Sequence, residues 1–536
     1  MEFLLHHLLE SAAERRPGEP AVVDRARTLT YDELETESNR LARLLMDQGV
    51  RPGDRVGLFL DKSIESIIAI YAVLKGGGIY VPLDPQAPIG RVAYVTGNCG
   101  IEWLLTGKEK AGSWAELARQ APQVKGFVVL NGEDRFGEHA GGKVVLDRGA
   151  IEAQVGARPT VARIGFDPAY ILYTSGSTGN PKGVTLTHRN AMSFVDWGVD
   201  EYGVTAADRL SNHAPLHFDL SIFDIFAAAR AGGTLVLVPP EISVFPIEVA
   251  RFIERSQITV WYSVPSLLSR MSEKANLHPG SLPRLRTILF AGEVFPVKYL
   301  RKLMLQLPHV RFSNLYGPTE TNVCTWYDVS EPPDEVDGPI PIGRAIADIE
   351  VFALKDDGTS ALAGEVGELI VRGPTVMQGY WNDQERTDRG LVPDPLGTPQ
   401  KVYRTGDLVR QDDSGCYRLL GRRDAQIKSR GYRIELGEIE TALYRHPAVV
   451  ECAAIAVPDE MITNRLVAIV GLRYPVDPAA LYQWCADIIP RYMIPETFEA
   501  HDSLPKTSTG KIDRQALARA FAERTASAAA REKEGS

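Results

Sequence analysis

The chain has 536 residues, too many for a single hydrophobic core, so two or more domains are expected. Hydrophobic residues make up 44% and charged residues 24%, the balance of an ordinary globular protein rather than a disordered one. The formal charge of −10 argues against a nucleic-acid-binding role, which calls for a basic face. Cys99, Cys324, Cys416, Cys452 and Cys485 are scattered without a C-x-x-C pair, which fits a reducing cytoplasm and speaks against structural zinc. The opening Met1-Glu2-Phe3-Leu4-Leu5-His6-His7 soon meets Glu10, Glu14, Arg15 and Arg16, so no secretory signal is expected. His6-His7 is read as helix surface rather than as a metal site. The longest apolar run, Ile67 to Leu74, is far short of a membrane span.

Along the chain, Thr30-Tyr31-Asp32-Glu33 forms a capping-box pattern, and Leu34, Leu41, Leu44 and Leu45 then share one helical face. Val56 to Leu60 reads as a buried strand, Ser63 to Leu74 as a helix, and Ile79 to Leu83 as a further strand after three glycines. This β–α–β rhythm predicts parallel sheets covered by helices. It continues with Ala169 to Leu172, a helical run from Ile222 to Ala229, and strands near 233–238 and 286–291. After about residue 340 the pattern turns β-rich, with candidate strands at 365–373 and 402–407. The charged, glycine-flanked stretch 421–428 marks a domain boundary. The fold class is therefore α/β. A large N-terminal domain (1–423) of parallel-rich sheets packed with helices carries a β-rich subdomain, and a small α+β domain (424–515) follows. The Ala- and charge-rich tail 516–536 is expected to fray.

The stretch Tyr173-Thr174-Ser175-Gly176-Ser177-Thr178-Gly179-Asn180-Pro181-Lys182-Gly183 follows the strand at 169–172. Its glycines permit close backbone approach to an anion. Its hydroxyls, amides and Lys182 offer donors to phosphate oxygens. It is not a Walker A loop, because Lys182 sits behind Asn180-Pro181 and precedes Gly183. Read alone, it is either a phosphate loop or a flexible linker.

The loop is the first of an ordered series. Asn314-Leu315-Tyr316-Gly317-Pro318-Thr319-Glu320-Thr321 follows, then Gly373 to Tyr380, Tyr403-Arg404-Thr405-Gly406-Asp407, Gly421 to Asp424, Arg430 to Glu440 and Leu504 to Lys511. With these motifs over residues 10–515 the chain resembles the adenylate-forming superfamily, and within it the adenylation domains of nonribosomal peptide synthesis. That resemblance implies a ligase that joins a carboxylate to the α-phosphate of ATP, releases pyrophosphate and depends on Mg²⁺. Such chemistry is mostly positioning and charge neutralisation. Thr174, Ser175, Gly176, Ser177, Thr178, Gly179 and Lys182 are then expected around the β- and γ-phosphates. Thr319 is expected at the α-phosphate and Glu320 on Mg²⁺, which prefers oxygen ligands. Tyr316 would stack on adenine, with Asn314, Gly317 and the Gly292 backbone beside it. Asp407 would take the ribose hydroxyls and Arg422 would approach the ribose or phosphate. Lys511 is the expected catalytic cation, reaching both the substrate carboxylate and the α-phosphate. Asp424 matches the hinge about which the small domain rotates.

In amino-acid-activating members, the residue matching Asp219 binds the substrate ammonium; without the family, Asp219 is as readily a helix N-cap. The resemblance places Leu220, Phe223, Tyr262, Leu289, Ala291, Leu315, Val323 and Cys324 around the side-chain pocket, with Lys511 and Asp219 at its polar end. That lining suits a small aliphatic amino acid and resembles the pocket of stand-alone prolyl-activating enzymes that feed pyrrole biosynthesis. L-proline is the expected substrate. Another small or β-amino acid, or an acyl-CoA ligase reaction of the same superfamily, is the alternative. With no condensation-type His-His pattern or Gly-Gly-x-Ser carrier signature in the sequence, the acceptor is expected to be a separate phosphopantetheinylated carrier protein. No nucleic-acid or membrane partner is expected.

Overall fold

The computed structural model describes residues 2–132, 137–176, 179–334, 338–424, 426–506 and 512–534. The chain divides into two compact units. Met1–Pro85, Val92–Thr174 and Lys182–Arg423 form the first, and Gln86–Arg91, Ser175–Pro181 and Asp424–Ser536 form the second.

The first unit is built on the predicted β–α–β rhythm. The strand Arg55–Phe59 leads into the helix Ile64–Lys75 and returns as the parallel strand Ile79–Pro82, with Arg55 opposite Ile79. Ser63 starts that helix by accepting the Ser66 N–H, while Ser66 Oγ accepts the Ser63 N–H. Thr30 and Glu33 cap the helix Tyr31–Asp47 in the same reciprocal way. The helix Ile64–Lys75 is apolar on nearly all sides because it contacts strands of two sheets, Pro20–Asp24 of one and Arg55–Phe59 of the other. One of these sheets has nine strands and the other eight. Both are parallel through the middle and antiparallel toward an edge. A third, antiparallel sheet comprises Glu350–Leu354, Val366–Arg372, Lys401–Gln411, Leu391–Pro393 and Tyr417–Arg422.

Within the nine-stranded sheet, Val260–Ser263, Thr287–Phe290 and Arg311–Tyr316 lie side by side, with Tyr262 opposite Leu289 and Leu289 opposite Ser313. Parallel strands in register end along one sheet edge. Ala291, Gly292 and the segment Gly317–Thr321 therefore emerge together, where open α/β sheets commonly hold ligands.

The second unit has the hairpin Gln426–Ser429/Tyr432–Glu435 and the helix Leu436–Tyr444. Its three-stranded sheet joins Val449–Asp459, Thr463–Leu472 and Thr497–Ala500. Its chain end differs from the sequence expectation. The helix Arg514–Glu534 occupies the tail expected to fray, and its first turns are anchored by Leu517 and Phe521, four residues apart on one face and buried with Ile455, Val467 and Ile469.

A second difference concerns His6. It is buried rather than on a helix surface, its ring 5.8 Å from that of His188, whose Nδ1 accepts the Leu5 N–H. Burial, ahead of the neighbouring charges, drives His188 down to about 3, and His213 is lowered to about 4 for the same reason. An unfolded histidine titrates near its ordinary 6.5. As pH falls from there, the unfolded chain gains protons that these folded rings refuse. Their stabilisation is complete above pH 6.5 and is lost as pH falls toward 4 and 3. His188→Asn keeps an acceptor for Leu5 but does not titrate. Denaturant unfolding between pH 7 and 4.5 should show a loss of stability shallower than the parent's by up to ~1.4 kcal/mol per pH unit. Parallel curves for the two proteins would count against a buried neutral His188.

Candidate active site

Three groups of predicted residues meet within the first unit. Around Glu320, whose residue is fully buried, Lys182 Nζ donates to Oε1 at 3.0 Å and the Tyr380 hydroxyl donates to the same oxygen at 2.7 Å. Lys182 also donates to the Tyr380 hydroxyl at 3.2 Å and lies 4.7 Å from the centre of its ring. Lys182 opens the strand Lys182–Thr187, and Glu320 sits in a single 3₁₀ turn, Thr319–Thr321, closed by the Thr321 N–H on the Pro318 carbonyl. Gly317 must lack a Cβ here, since one would overlap the Asn322 carbonyl. A single buried carboxylate has the donor chemistry Mg²⁺ takes, one or two carboxylates together with substrate phosphates.

In the second group, Asp407 accepts from Arg422 Nη1 at 2.7 Å and from the Tyr316 hydroxyl. Arg422 also donates to the Thr405 carbonyl, and Thr405 Oγ1 accepts the Asp407 N–H at 3.0 Å. Burial, then the Asp407 charge, raises the Tyr316 hydroxyl well above its ordinary range, so Tyr316 is a donor. Asn314 donates to the Pro341 carbonyl at 2.8 Å, which ties its carboxamide to the protein's own chain. Gly292 takes φ +94°, a conformation that favours glycine.

The third group is the apolar set expected to line the side-chain pocket. Leu220, Phe223, Tyr262, Leu289, Ala291, Leu315, Val323 and Cys324 are all buried and belong to one hydrophobic cluster. Phe223 and Tyr262 meet edge to face, with centroids 6.1 Å apart. Asp219 stands at the N-cap position of the helix Leu220–Ala231, but its side chain makes no capping hydrogen bond. Its charge is felt by the hydroxyls of Tyr262 and Tyr170, both raised first by burial and then by Asp219 among their neighbours.

The remaining predicted residues lie elsewhere. Ser175, Gly176 and Gly179 fall in the second unit, where Ser175 Oγ donates to the Arg433 carbonyl and the Gly176 N–H to Glu438 Oε2. Asp424 accepts the Gln426 N–H at 3.2 Å in the same unit. Ser177, Thr178 and Lys511 lie outside the described residues.

Sequence reasoning missed three contributors. Tyr380 stood in a quoted motif without a role. Gly198 lies so close to the Phe223 ring that a Cβ would overlap it. Lys62, half-buried, donates to the carbonyls of Asn212 (2.7 Å) and His213 (3.0 Å), at the start of the segment leading to Asp219. Nothing local marks Lys62 or Gly198 in the sequence, because their partners are more than a hundred and about twenty-five residues away, respectively.

The sequence profile of the AMP-binding enzyme family matches residues 9–381, and that of the AMP-binding enzyme C-terminal domain matches 438–511. The L-proline--[L-prolyl-carrier protein] ligase of Pseudomonas fluorescens is 41% identical over 517 residues, covering 96% of this chain and 99% of the relative. Tyrocidine synthase 1 of Brevibacillus parabrevis is 33% identical over 96% of this chain, which spans 44% of that longer protein. Among solved structures, the Vibrio cholerae adenylation domain AlmE in complex with glycyl-adenosine-5'-phosphate superposes with a TM-score of 0.85. Identity is 25%, over 98% of each chain.

The Lys182–Glu320 pair has a measurable consequence. Lys182→Met leaves a carboxylate buried without its cation and should cost ~3 kcal/mol in denaturant unfolding. Adding Glu320→Gln should recover most of that loss. A single variant as stable as the parent would contradict the buried pairing.

Proposed function

The chain belongs to the AMP-binding enzyme family, AMP-forming ligases that use ATP with Mg²⁺, and we propose that it activates a small amino acid, L-proline, for transfer to a separate carrier protein. In the first half-reaction a carboxylate oxygen of the amino acid attacks the α-phosphorus of ATP. The bond to the bridging oxygen breaks, and pyrophosphate leaves with the electron pair. In the second, a phosphopantetheine thiolate attacks the acyl carbon and AMP departs. The protein's part in both is to hold like charges together and keep water out.

Each residue group has a place in this reading. Asp407 accepts from the ribose hydroxyls, and Arg422 and Tyr316 hold it in position, the latter also facing adenine beside Asn314, Gly317 and Gly292. Lys182, with Thr174 and the loop residues Ser175, Gly176, Ser177, Thr178 and Gly179, binds the β- and γ-phosphates, and Thr319 the α-phosphate. Glu320 is the carboxylate ligand for Mg²⁺, which supplies charge neutralisation at the phosphates when bound. Lys511 carries the positive charge to the reacting carboxylate and α-phosphate. Asp424 is the hinge about which the small domain turns between half-reactions.

The residue that carries the substrate reading is Asp219. It stands at the start of the helix Leu220–Ala231, beside the buried apolar cluster, and its charge is felt by the Tyr262 hydroxyl. In this reading it takes the substrate ammonium, and the cluster receives a small hydrocarbon side chain. The 41% identity to a prolyl-carrier-protein ligase supports proline among such acids. The pyrrole-type biosynthetic setting belongs to the same proposal and stands or falls with L-proline. A cytoplasmic location is a separate part of the proposal; among the described residues no helix is long and apolar enough to cross a membrane.

ATP–pyrophosphate exchange with a panel of L-proline, glycine, L-alanine, a β-amino acid and an aryl acid is expected to give the highest kcat/KM for L-proline. A different preferred acid would overturn the substrate, and exchange with none would overturn the activity. Asp219→Asn should raise the amino-acid KM ~10- to 100-fold, the loss of one charge-assisted contact, with ATP binding by calorimetry unchanged. Equal losses of both would mark Asp219 as structural.

A further inference from the structure

We propose that Tyr380 is a positioning residue for the metal-binding carboxylate. Its hydroxyl holds Glu320 in place when Lys182 is drawn away to the nucleotide phosphates. The proposal rests on the reading of Glu320 as the Mg²⁺ ligand.

The geometry forms a directed chain. The Lys182 ammonium donates to the Tyr380 hydroxyl at 3.2 Å, which leaves the phenolic proton to be donated onward to Glu320 Oε1 at 2.7 Å. Lys182 donates to that same carboxylate oxygen at 3.0 Å. Glu320 is fully buried and Lys182 nearly so, and a charge in such surroundings keeps a fixed orientation only while donors are aimed at it. The lysine has a long flexible stem and a point charge that anionic phosphates will attract. The tyrosine has neither freedom.

The backbone around Tyr380 is pinned to both partners. Gly379 and Tyr380 pair with Thr185 and Val184 of the strand that Lys182 begins. The Trp381 N–H donates to the Gly183 carbonyl at 2.8 Å, and the Gln378 N–H to that of Thr185 at 3.0 Å. The Met377 N–H donates to the Glu320 main-chain carbonyl at 2.8 Å, and the Tyr380 N–H to Thr387 Oγ1 at 2.9 Å. One short segment thus reads the position of the lysine strand and of the Glu320 backbone, and delivers a hydroxyl between their side chains. Such a donor pre-orients the carboxylate for a cation that tolerates little deviation from octahedral geometry.

Tyr380→Phe removes the hydroxyl and keeps the ring, including its contact with the Lys182 ammonium. Binding is read by electron paramagnetic resonance of Mn²⁺ titrated into the full-length protein saturated with a non-hydrolysable ATP analogue. Glu320→Gln and Tyr403→Phe are measured in parallel. Tyr403 supplies the hydroxyl 3.4 Å from that of Tyr380. The expected result for Tyr380→Phe is a Mn²⁺ Kd raised about tenfold or more. Nucleotide affinity without divalent ions should match the parent, the melting temperature should fall only by the modest amount that one lost buried hydrogen bond costs, and Tyr403→Phe should stay within about twofold of the parent in Mn²⁺ affinity. An unchanged Mn²⁺ Kd in Tyr380→Phe alongside a weakened Glu320→Gln would overturn the role of Tyr380 alone. An unchanged Kd in Glu320→Gln would overturn the metal reading beneath it. Equal weakening by Tyr403→Phe, or a parallel fall in metal-free nucleotide affinity, would assign the effect to general repacking and also overturn the proposal.

Discussion

A carboxylate with no access to water has to keep positive charge or donors in reach, and Glu320 meets that demand with Lys182 and Tyr380. Much of the surrounding architecture serves this requirement. The strand Lys182–Thr187 turns antiparallel beside its parallel neighbours and brings the lysine to the sheet's end. The 3₁₀ turn after Arg311–Tyr316 brings the acid. The segment 377–381 closes the cluster from a third direction, by main-chain bonds to both. A pair so buried contributes little net stability by itself, since desolvation offsets most of the attraction. Its value is orientation. For a reaction that brings a carboxylate up to a polyphosphate, orientation of charge is the larger part of catalysis.

The same logic separates the nucleotide-facing and apolar parts of the first unit. Asp407 is held by Arg422 and Tyr316, so its charge is shared before any ligand arrives. The apolar residues proposed to line the pocket beside Asp219 are core residues of the protein, grouped where the strands Val260–Ser263, Thr287–Phe290 and Arg311–Tyr316 end together. On the proposed function, specificity for the side chain and affinity for the nucleotide are built from different interactions, packing in one case and charge in the other.

Legibility in the sequence followed the range of the interaction. Capping of the helix Tyr31–Asp47, the alternation of Arg55–Phe59, Ile64–Lys75 and Ile79–Pro82, and the β-rich stretch after residue 340 are local patterns, and the structure has them where expected. The family resemblance implied Lys182, Glu320, Asp407 and Arg422, and the fold brings Lys182 to Glu320 and Arg422 to Asp407 as pairs. What escaped were residues whose meaning depends on distant partners. His6 looked like surface because its burial is imposed by His188, and the Arg514–Glu534 helix looked like tail because Leu517 and Phe521 find their core on other strands. Tyr380 sat in a recognised motif, yet its task is set by Glu320, sixty residues away.

The contact between Gly198 and Phe223 has a consequence for how such a pocket can change over time. Gly198 lies on the helix His188–Glu201, which supplies none of the predicted lining, and it lets the Phe223 ring sink back against that helix. If this cluster is the side-chain pocket proposed above, the room beside Asp219 is governed by a backbone surface one layer behind the wall. Any side chain there displaces the ring, and the displacement is transmitted to the pocket because the core is close-packed and yields little elsewhere. On that reading substrate range is inherited from helix spacing, and it can drift without a single lining residue being replaced.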